Sequence, residues 1–291
     1  MTKKNIWRYI PFDTFTAAEN MAIDEMILEK VAKKNHPNTI RFYQWKKTTA
    51  SIGRNQSLLA EIDEKELKER DFDFVRRISG GGAVLHDAKY EITYAIICRI
   101  PDMPEQYPKK IEFKDNIPDR YQIILESLAE GLRELGVSID AKKIHCPALL
   151  MNGKKISGNA QAIRKNTLLQ HGTILLKVDP EVMYKVLKAP EGVSYTKMVQ
   201  SVRSKVAGIL DVSESSEENI HGESSVNTKK TQNEKENELK PHEIVQYLKQ
   251  GFQKIFDIKL REQPLKKEER KEIKKLEKKR YKNDEWTNRF P

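Results

Sequence analysis

The residues best equipped for chemistry lie in Arg76-Arg77-Ile78-Ser79-Gly80-Gly81-Gly82-Ala83-Val84-Leu85-His86-Asp87. Three consecutive glycines let the main chain approach a ligand closely and aim N–H groups at an anion, and the two arginines ahead of them supply fixed positive charge for a carboxylate or phosphate. His86 and Asp87 add polar groups on the far flank, more than a plain turn requires. The segment lacks the Gly-Lys-Ser/Thr ending of a P-loop and the Gly-x-Gly-x-x-Gly spacing of a dinucleotide site. It therefore supports an anion-binding loop of another kind.

A second constellation is Asn152-Gly153-Lys154-Lys155-Ile156-Ser157-Gly158-Asn159-Ala160-Gln161, followed by Gln170-His171-Gly172-Thr173. A lysine on a strand among small residues places a point charge on a carboxylate, phosphate or acyl carbonyl oxygen as negative charge builds there. Lys155 is the candidate for that role, against the plainer reading of an exposed hairpin lysine. Of the two cysteines, Cys98 reads as core and Cys146 as a possible nucleophile, which a thiol becomes when its pKa is lowered. They lie far apart without metal-ligand spacing, so neither a disulfide framework nor a metal site is expected. His86 either orients a ligand or bonds the main chain.

The elements that must position these groups follow from periodicity. Residues 17–31 carry apolar side chains at helical spacing behind Thr14 and Thr16. Residues 38–45 and 49–53 read as strands, a short helix follows near 63–70, and 72–77, the glycine cluster and 91–100 read as strand, loop and strand. Residues 119–135 read as a helix that stops at Gly136, after a loop over 101–118. Strands are expected at 148–151, 155–162 and 168–178, the first two joined by a tight Asn152-Gly153 turn, then a helix at 180–187. Residues 213–240, polar and free of aromatics, read as a disordered insertion. An amphipathic helix from Pro241, a strand at 258–262 and a basic helix before Trp286 end the pattern.

With 291 residues, 38% of them hydrophobic, the chain can bury one sizeable core. No apolar run approaches the roughly 20 residues that cross a bilayer, and Met1-Thr2-Lys3-Lys4 opens no secretory signal, so no membrane and a cytoplasmic location are expected. The net charge of +10 admits nucleic acid, an acidic protein or a polyanionic small ligand. Much of it is local to residues 265–282. The glycine loop with Lys155 argues against a noncatalytic module that uses that basic tail on nucleic acid.

Together, Asn20-Met21-Ala22-Ile23-Asp24-Glu25, Ser51-Ile52-Gly53-Arg54-Asn55-Gln56, the motif at 76–87, Gly153 to Gly158 around Lys155, His171-Gly172-Thr173 and Asp284-Glu285-Trp286 resemble the lipoate-protein ligase A family. That family belongs to a superfamily shared with octanoyltransferases and biotin-protein ligases. The resemblance implies an α+β fold, a mixed β-sheet flanked by helices like the catalytic domain of biotin ligases and class II aminoacyl-tRNA synthetases. It would occupy residues 1–212, with 241–291 as a helical appendage packed on it. It implies that Lys155 is catalytic, and that Arg76, Arg77, Ser79, Gly80, Gly81, Gly82, Ala83, His86, Asp87, Gly158, Asn159, Ala160, His171, Gly172 and Thr173 contact the acyl group or its adenylate. The leading expectation is a ligase that uses ATP and Mg2+ to convert lipoate or octanoate into the acyl-adenylate. It then acylates a lysine of a lipoyl carrier domain, in a 2-oxoacid dehydrogenase acyltransferase subunit or glycine cleavage H protein. Ligases of the family carry an Asn-Asp pair ahead of the lysine motif, where this chain has Cys146-Pro147-Ala148. The alternative is an ATP-independent transferase working through a cysteine thioester, whose family pattern Glu91-Ile92-Thr93-Tyr94 resembles. Compact relatives of the ligases use a small separately encoded accessory subunit, and the basic helix at 266–280 is a candidate dock for it or for an acidic carrier domain.

Overall fold

The computed structural model describes residues 5–104, 116–142, 147–211 and 239–290. Cys146 and most of the expected insertion, 213–238, lie outside the described residues. The centre is a six-stranded mixed sheet in the order β10 (Asn159–Arg164), β11 (Thr167–Leu175), β6 (Glu91–Arg99), β2 (Thr39–Trp45), β1 (Asn5–Phe15), β12 (Ile258–Glu262). Its first four strands run antiparallel, while β1 is parallel to both β2 and β12. A second sheet holds β4 (Asp73–Arg76), β3 (Thr49–Ile52) and β5 (Val84–His86), and a third holds β7 (Asp140–Lys142), β8 (Ala148–Met151) and β9 (Lys154–Lys155). The helices are α1 (Ala17–Ala32), α2 (Leu58–Glu61), α3 (Glu64–Glu69), α4 (Ile117–Glu134), α5 (Pro180–Val186), α6 (Tyr195–Lys205), α7 (Pro241–Ile255), α8 (Lys267–Leu276) and α9 (Asp284–Thr287).

Strand alternation separates two cores. On β6, Ile92, Tyr94, Ile96 and Cys98 face α4 and α7, while Ala95 and Ile97 face α1. The α1 face also receives Tyr43, Trp45 and Leu169, and from the C-terminus Ile273 and Tyr281. Helix α1 starts on a Thr16–Glu19 capping box, in which each side chain satisfies the other's main-chain N–H. The residues expected to form an appendage are built into both cores: α7 buries Leu248 and Phe252 against α4 and the sheet, and β12 is the sheet's edge. Beyond them α8 packs on α1, where Arg8 on β1 clamps Glu269 at 2.6 Å. Burial works against that carboxyl's charge, yet hydrogen bonds from Arg8, the Lys266 N–H and His36 bring it down to about 2.

Three elements differ from the periodic pattern. Strand β1 is central although it contains Pro11; the register slips between Ile10 and Asp13, and this bulge takes up the missing N–H. The strand expected at 155–162 divides in two, β9 pairing with β8 and β10 with β11, because residues 156–158 cross between sheets. Helix α6 lies in a stretch assigned no element from sequence. The Asn152-Gly153 hairpin is as expected, both residues having positive φ, 50° and 77°. No described helix is long and apolar enough to cross a membrane.

Helices α4 and α7 cross where Gly131 meets the Tyr247 carbonyl and Gly251 meets the Ser127 carbonyl, so close that neither position has room for a Cβ. Alanine in a helix is favoured over glycine by about 1 kcal/mol, but overpacking a core contact costs about 1–3 kcal/mol. Gly251→Ala is therefore expected to lower the urea unfolding midpoint; a raised midpoint would show that the crossing can open freely.

Candidate functional site

The glycine loop joins β4 to β5 and is held from beneath. The fully buried Arg77 guanidinium donates through Nη2 to the carbonyls of Gly80 (3.0 Å) and Gly82 (2.9 Å), and through Nη1 to Ser51 O (3.0 Å) and Oγ (2.8 Å). Burial lowers this guanidinium to about 10, which leaves it charged at neutral pH. Gly81 adopts φ +94°, and its carbonyl lies against Gly53, which has no space for a side chain there. With the Gly80 and Gly82 carbonyls turned inward, the N–H groups of Gly80 to Ala83 donate to no described residue. The three glycines are solvent-exposed. An anion or polarised carbonyl oxygen is the acceptor that such a row of donors suits.

Two buried polar chains fix the loop's ends. Ser79 Oγ lies 2.7 Å from His171 Nε2, and His171 Nδ1 lies 3.1 Å from Asp24 Oδ2 on α1. Asp24 is completed by Arg41 Nη1 at 3.1 Å, with both side chains about 1% exposed. Burial pushes the His171 imidazole below its usual range, against the opposing pull of Asp24. A neutral ring that donates from Nδ1 to the carboxylate must accept at Nε2, so the Ser79 hydroxyl donates to it. At the loop's other end Ser51 Oγ lies 2.7 Å from His86 Nε2, and His86 Nδ1 lies 2.7 Å from Glu91 Oε1, which also accepts from Thr93 (2.6 Å). His86 stacks on Trp45 with ring centroids 4.3 Å apart.

Across from the loop run β10 and β11. A side chain on Gly81 would meet Arg77 Nη2 and then the Ala160 side chain, and Ala160 pairs with His171. Gly158 donates to Thr173 Oγ1 (3.0 Å), and Gly172 sits where a Cβ would strike Gly158 O and Asn159 Oδ1. Asn159 accepts from the Tyr94 hydroxyl (2.7 Å) and donates to the carbonyl of Pro147 (2.9 Å), the residue after Cys146. Lys155 lies on β9, three residues before Gly158, with its carbonyl bound by Ala207 N.

The structure thus gathers Ser79 to Ala83, Asn159, Ala160 and His171, and puts other expected contacts to different use. Arg76 is fully buried and donates to the carbonyls of Gln56, Trp286, Thr287 and Phe290, while Trp286 Nε1 returns a bond to Arg76 O. That arginine ties the C-terminal segment under the loop. Asp87 Oδ1 caps a turn by accepting from Lys89 N and Tyr90 N. Sequence reasoning missed the supports Asp24, Arg41, Ser51 and Glu91 as partners, since nothing local links Asp24 to His171. Gly80 to Ala83 line neither of two clefts, one of about 360 Å³ by Tyr90, Leu176 and Pro241 and one by Phe72, Leu85 and Met183.

Residues 16–224 match the lipoyl protein ligase A/B catalytic domain family, and the chain belongs to that family. An octanoyltransferase LipM of Brevibacillus brevis is 31% identical over 97% of this chain and 99% of its own length. That of Anoxybacillus flavithermus is 30% identical over 98% of each. Among solved structures, the bi-partite lipoate protein ligase of Thermoplasma acidophilum superposes with a TM-score of 0.75 at 22% identity, covering 99% of this chain and 98% of that one. A lipoate-protein ligase A bound with ATP gives 0.73 at 21% identity over the whole of both chains. These two likenesses establish the fold: a mixed α+β sheet flanked by helices. The chain is an enzyme of the lipoate ligase and octanoyltransferase family.

The depressed His171 makes a pH prediction. Its unfolded counterpart titrates near about 6.5, so below that pH the unfolded chain takes up a proton that the folded ring resists. The ring's contribution to stability is complete above that value and is lost as pH falls through the folded pKa. His171→Gln should therefore lose less stability than the parent between pH 7 and pH 5 in denaturant titrations. Parallel losses in the two proteins would contradict a buried neutral imidazole.

Proposed function

We propose that the chain moves an octanoyl or lipoyl group from a protein-bound thioester to a lysine of a lipoyl carrier domain, with Cys146 as the intermediate acyl carrier. A thioester is already activated towards an amine, so the reaction needs neither ATP nor Mg2+. Its steps balance without them: the Cys146 thiolate attacks the donor carbonyl, a new C–S bond forms and the donor thiolate leaves. The acceptor amine then attacks the acyl-enzyme, an amide forms, the Cys146 thiolate departs and the amine gives up its proton to solvent. In each half-reaction negative charge builds on the acyl oxygen. The N–H row of Gly80 to Ala83 and the Lys155 ammonium are the groups we assign to it. We assign the alkyl chain to the side of the loop that faces the small Ala160 side chain.

The observation that carries this reading concerns the other thiol. Cys98 is fully buried between the sheet and α4, and burial pushes its pKa far up, so it serves as core. Cys146 is the remaining cysteine of the sequence, and the residue after it is bonded to Asn159, next to Ala160. The whole-length relatives named octanoyltransferase support the transferase ahead of the ligase first expected. So does the donor set, for Arg77, expected on phosphate, spends its guanidinium on protein oxygens.

The test is direct. Incubation with an octanoyl thioester should add one octanoyl group to the intact protein and then pass it to a lipoyl domain. Cys146→Ser should abolish both, and Lys155→Ala should slow loading by about 10²–10³-fold, the scale of losing one oxyanion donor. Lipoate with Mg-ATP should release no pyrophosphate. Release of pyrophosphate together with full activity of Cys146→Ser would restore the ligase.

A further inference from the structure

The basic helix α8 is not used by the site as described, and its charges are arranged on one side. Ile273, Glu269 and Tyr281 are buried against the body of the protein. Lys267, Arg270, Lys271, Lys274 and Lys275 of α8, and Lys278 in the π-helical turn Glu277–Tyr281 that continues it, are all exposed, and within α8 helical spacing places the five side by side on the outer face. The exposed acids Glu268 and Glu272 lie along one edge of that face, where Glu272 pairs with Lys30 of α1 at 2.8 Å. Glu269 is committed to Arg8, and Glu277 to Lys282.

Among the described residues none of the six basic side chains of the ridge takes part in an ion pair. The succession 267, 271, 274, 278 sets like charges at i, i+3 and i, i+4, an arrangement that weakens a helix. A surface arranged for stability would interleave the signs more evenly. A row of uncompensated cations instead attracts a partner of opposite sign and raises its encounter rate.

We propose that this ridge docks an acidic carrier protein that delivers the acyl thioester; the inference rests on the transferase reading above. The donor fits better than the acceptor because of reach. The ridge is separated from His171 and Ser79 by α1, and packed helices stand about 8–10 Å apart. An acceptor lysine side chain is shorter than that layer and must present itself at the glycine loop. A donor whose acyl group rides on a long flexible thioester arm can dock a helix layer away. The ridge also ends close to the loop's support: Arg280 bonds Glu25, the neighbour of Asp24, and lies over the Trp286 ring, which bonds Arg76 O.

The experiment uses the full chain carrying Lys267→Glu, Lys271→Glu, Lys274→Glu and Lys278→Glu together, positions that point to solvent and leave the cores intact. Loading of the enzyme is timed from two donors, octanoyl on an acidic acyl carrier protein and octanoyl-pantetheine, at low and high salt. The variant should load at least about 10-fold more slowly from the protein donor at low salt, with the salt dependence flattened and loading from octanoyl-pantetheine unchanged. Unchanged loading from the protein donor overturns the proposal, and so does equal slowing with both donors. Normal loading with impaired transfer to the lipoyl domain would make the ridge an acceptor dock instead. Salt-sensitive retention of the parent by a nucleic acid, with carrier loading insensitive to the substitutions, would make it a nucleic-acid surface. If the parent protein loads from neither donor, the transferase reading fails first, and this inference with it.

Discussion

The grip of the Arg77 guanidinium on two carbonyls of the triple-glycine loop is the interaction from which the site follows. A peptide that turns its carbonyl one way turns its N–H the other. Holding Gly80 O and Gly82 O therefore turns the N–H groups of Gly81 and Ala83 away from the arginine. Glycine alone tolerates the left-handed turn at Gly81 and the contact with Gly53 that this requires. The arginine is charged but sealed from water, so its attraction for those carbonyls is not diluted by solvent. Removing it would leave several buried acceptors unsatisfied at once.

Everything around the loop restrains this one geometry. The small β4–β3–β5 sheet fixes where the loop leaves and re-enters, and the Ser79–His171–Asp24 and Ser51–His86–Glu91 chains fix its flanks. The first chain ties the loop to α1 and β11, hence to the main sheet. Arg76 ties the same stretch to the C-terminal segment, so the last residues of the chain brace a motif more than two hundred positions away. Neighbouring arginines in one motif thus have different tasks, one holding the glycine loop and the other anchoring the C-terminal segment beneath it.

How much of this the amino-acid sequence discloses depends on range. The loop itself, the Asn152-Gly153 hairpin and helix α1 are legible because their signals are local: consecutive glycines, a two-residue turn, a cap and a stripe. The division of residues 155–162 between two sheets is not legible, since the crossing at Ile156 to Gly158 is set by Leu149, Leu175 and Thr173. Strand β1 is hidden by Pro11, which excludes a regular interior strand but not a bulged one. The carboxylate that orients His171 is invisible for another reason. Asp24 stands 147 residues from His171, and only the packing of α1 on the sheet brings them together.

The central claim is that the outward N–H groups of Gly80 to Ala83 receive the acyl oxygen. Amide hydrogen exchange at these four positions, with and without a non-reactive octanoyl amide, measures that directly. Slowed exchange concentrated on these amides when the ligand binds is the result the account predicts. Ligand binding that leaves them exchanging at the free rate would contradict it.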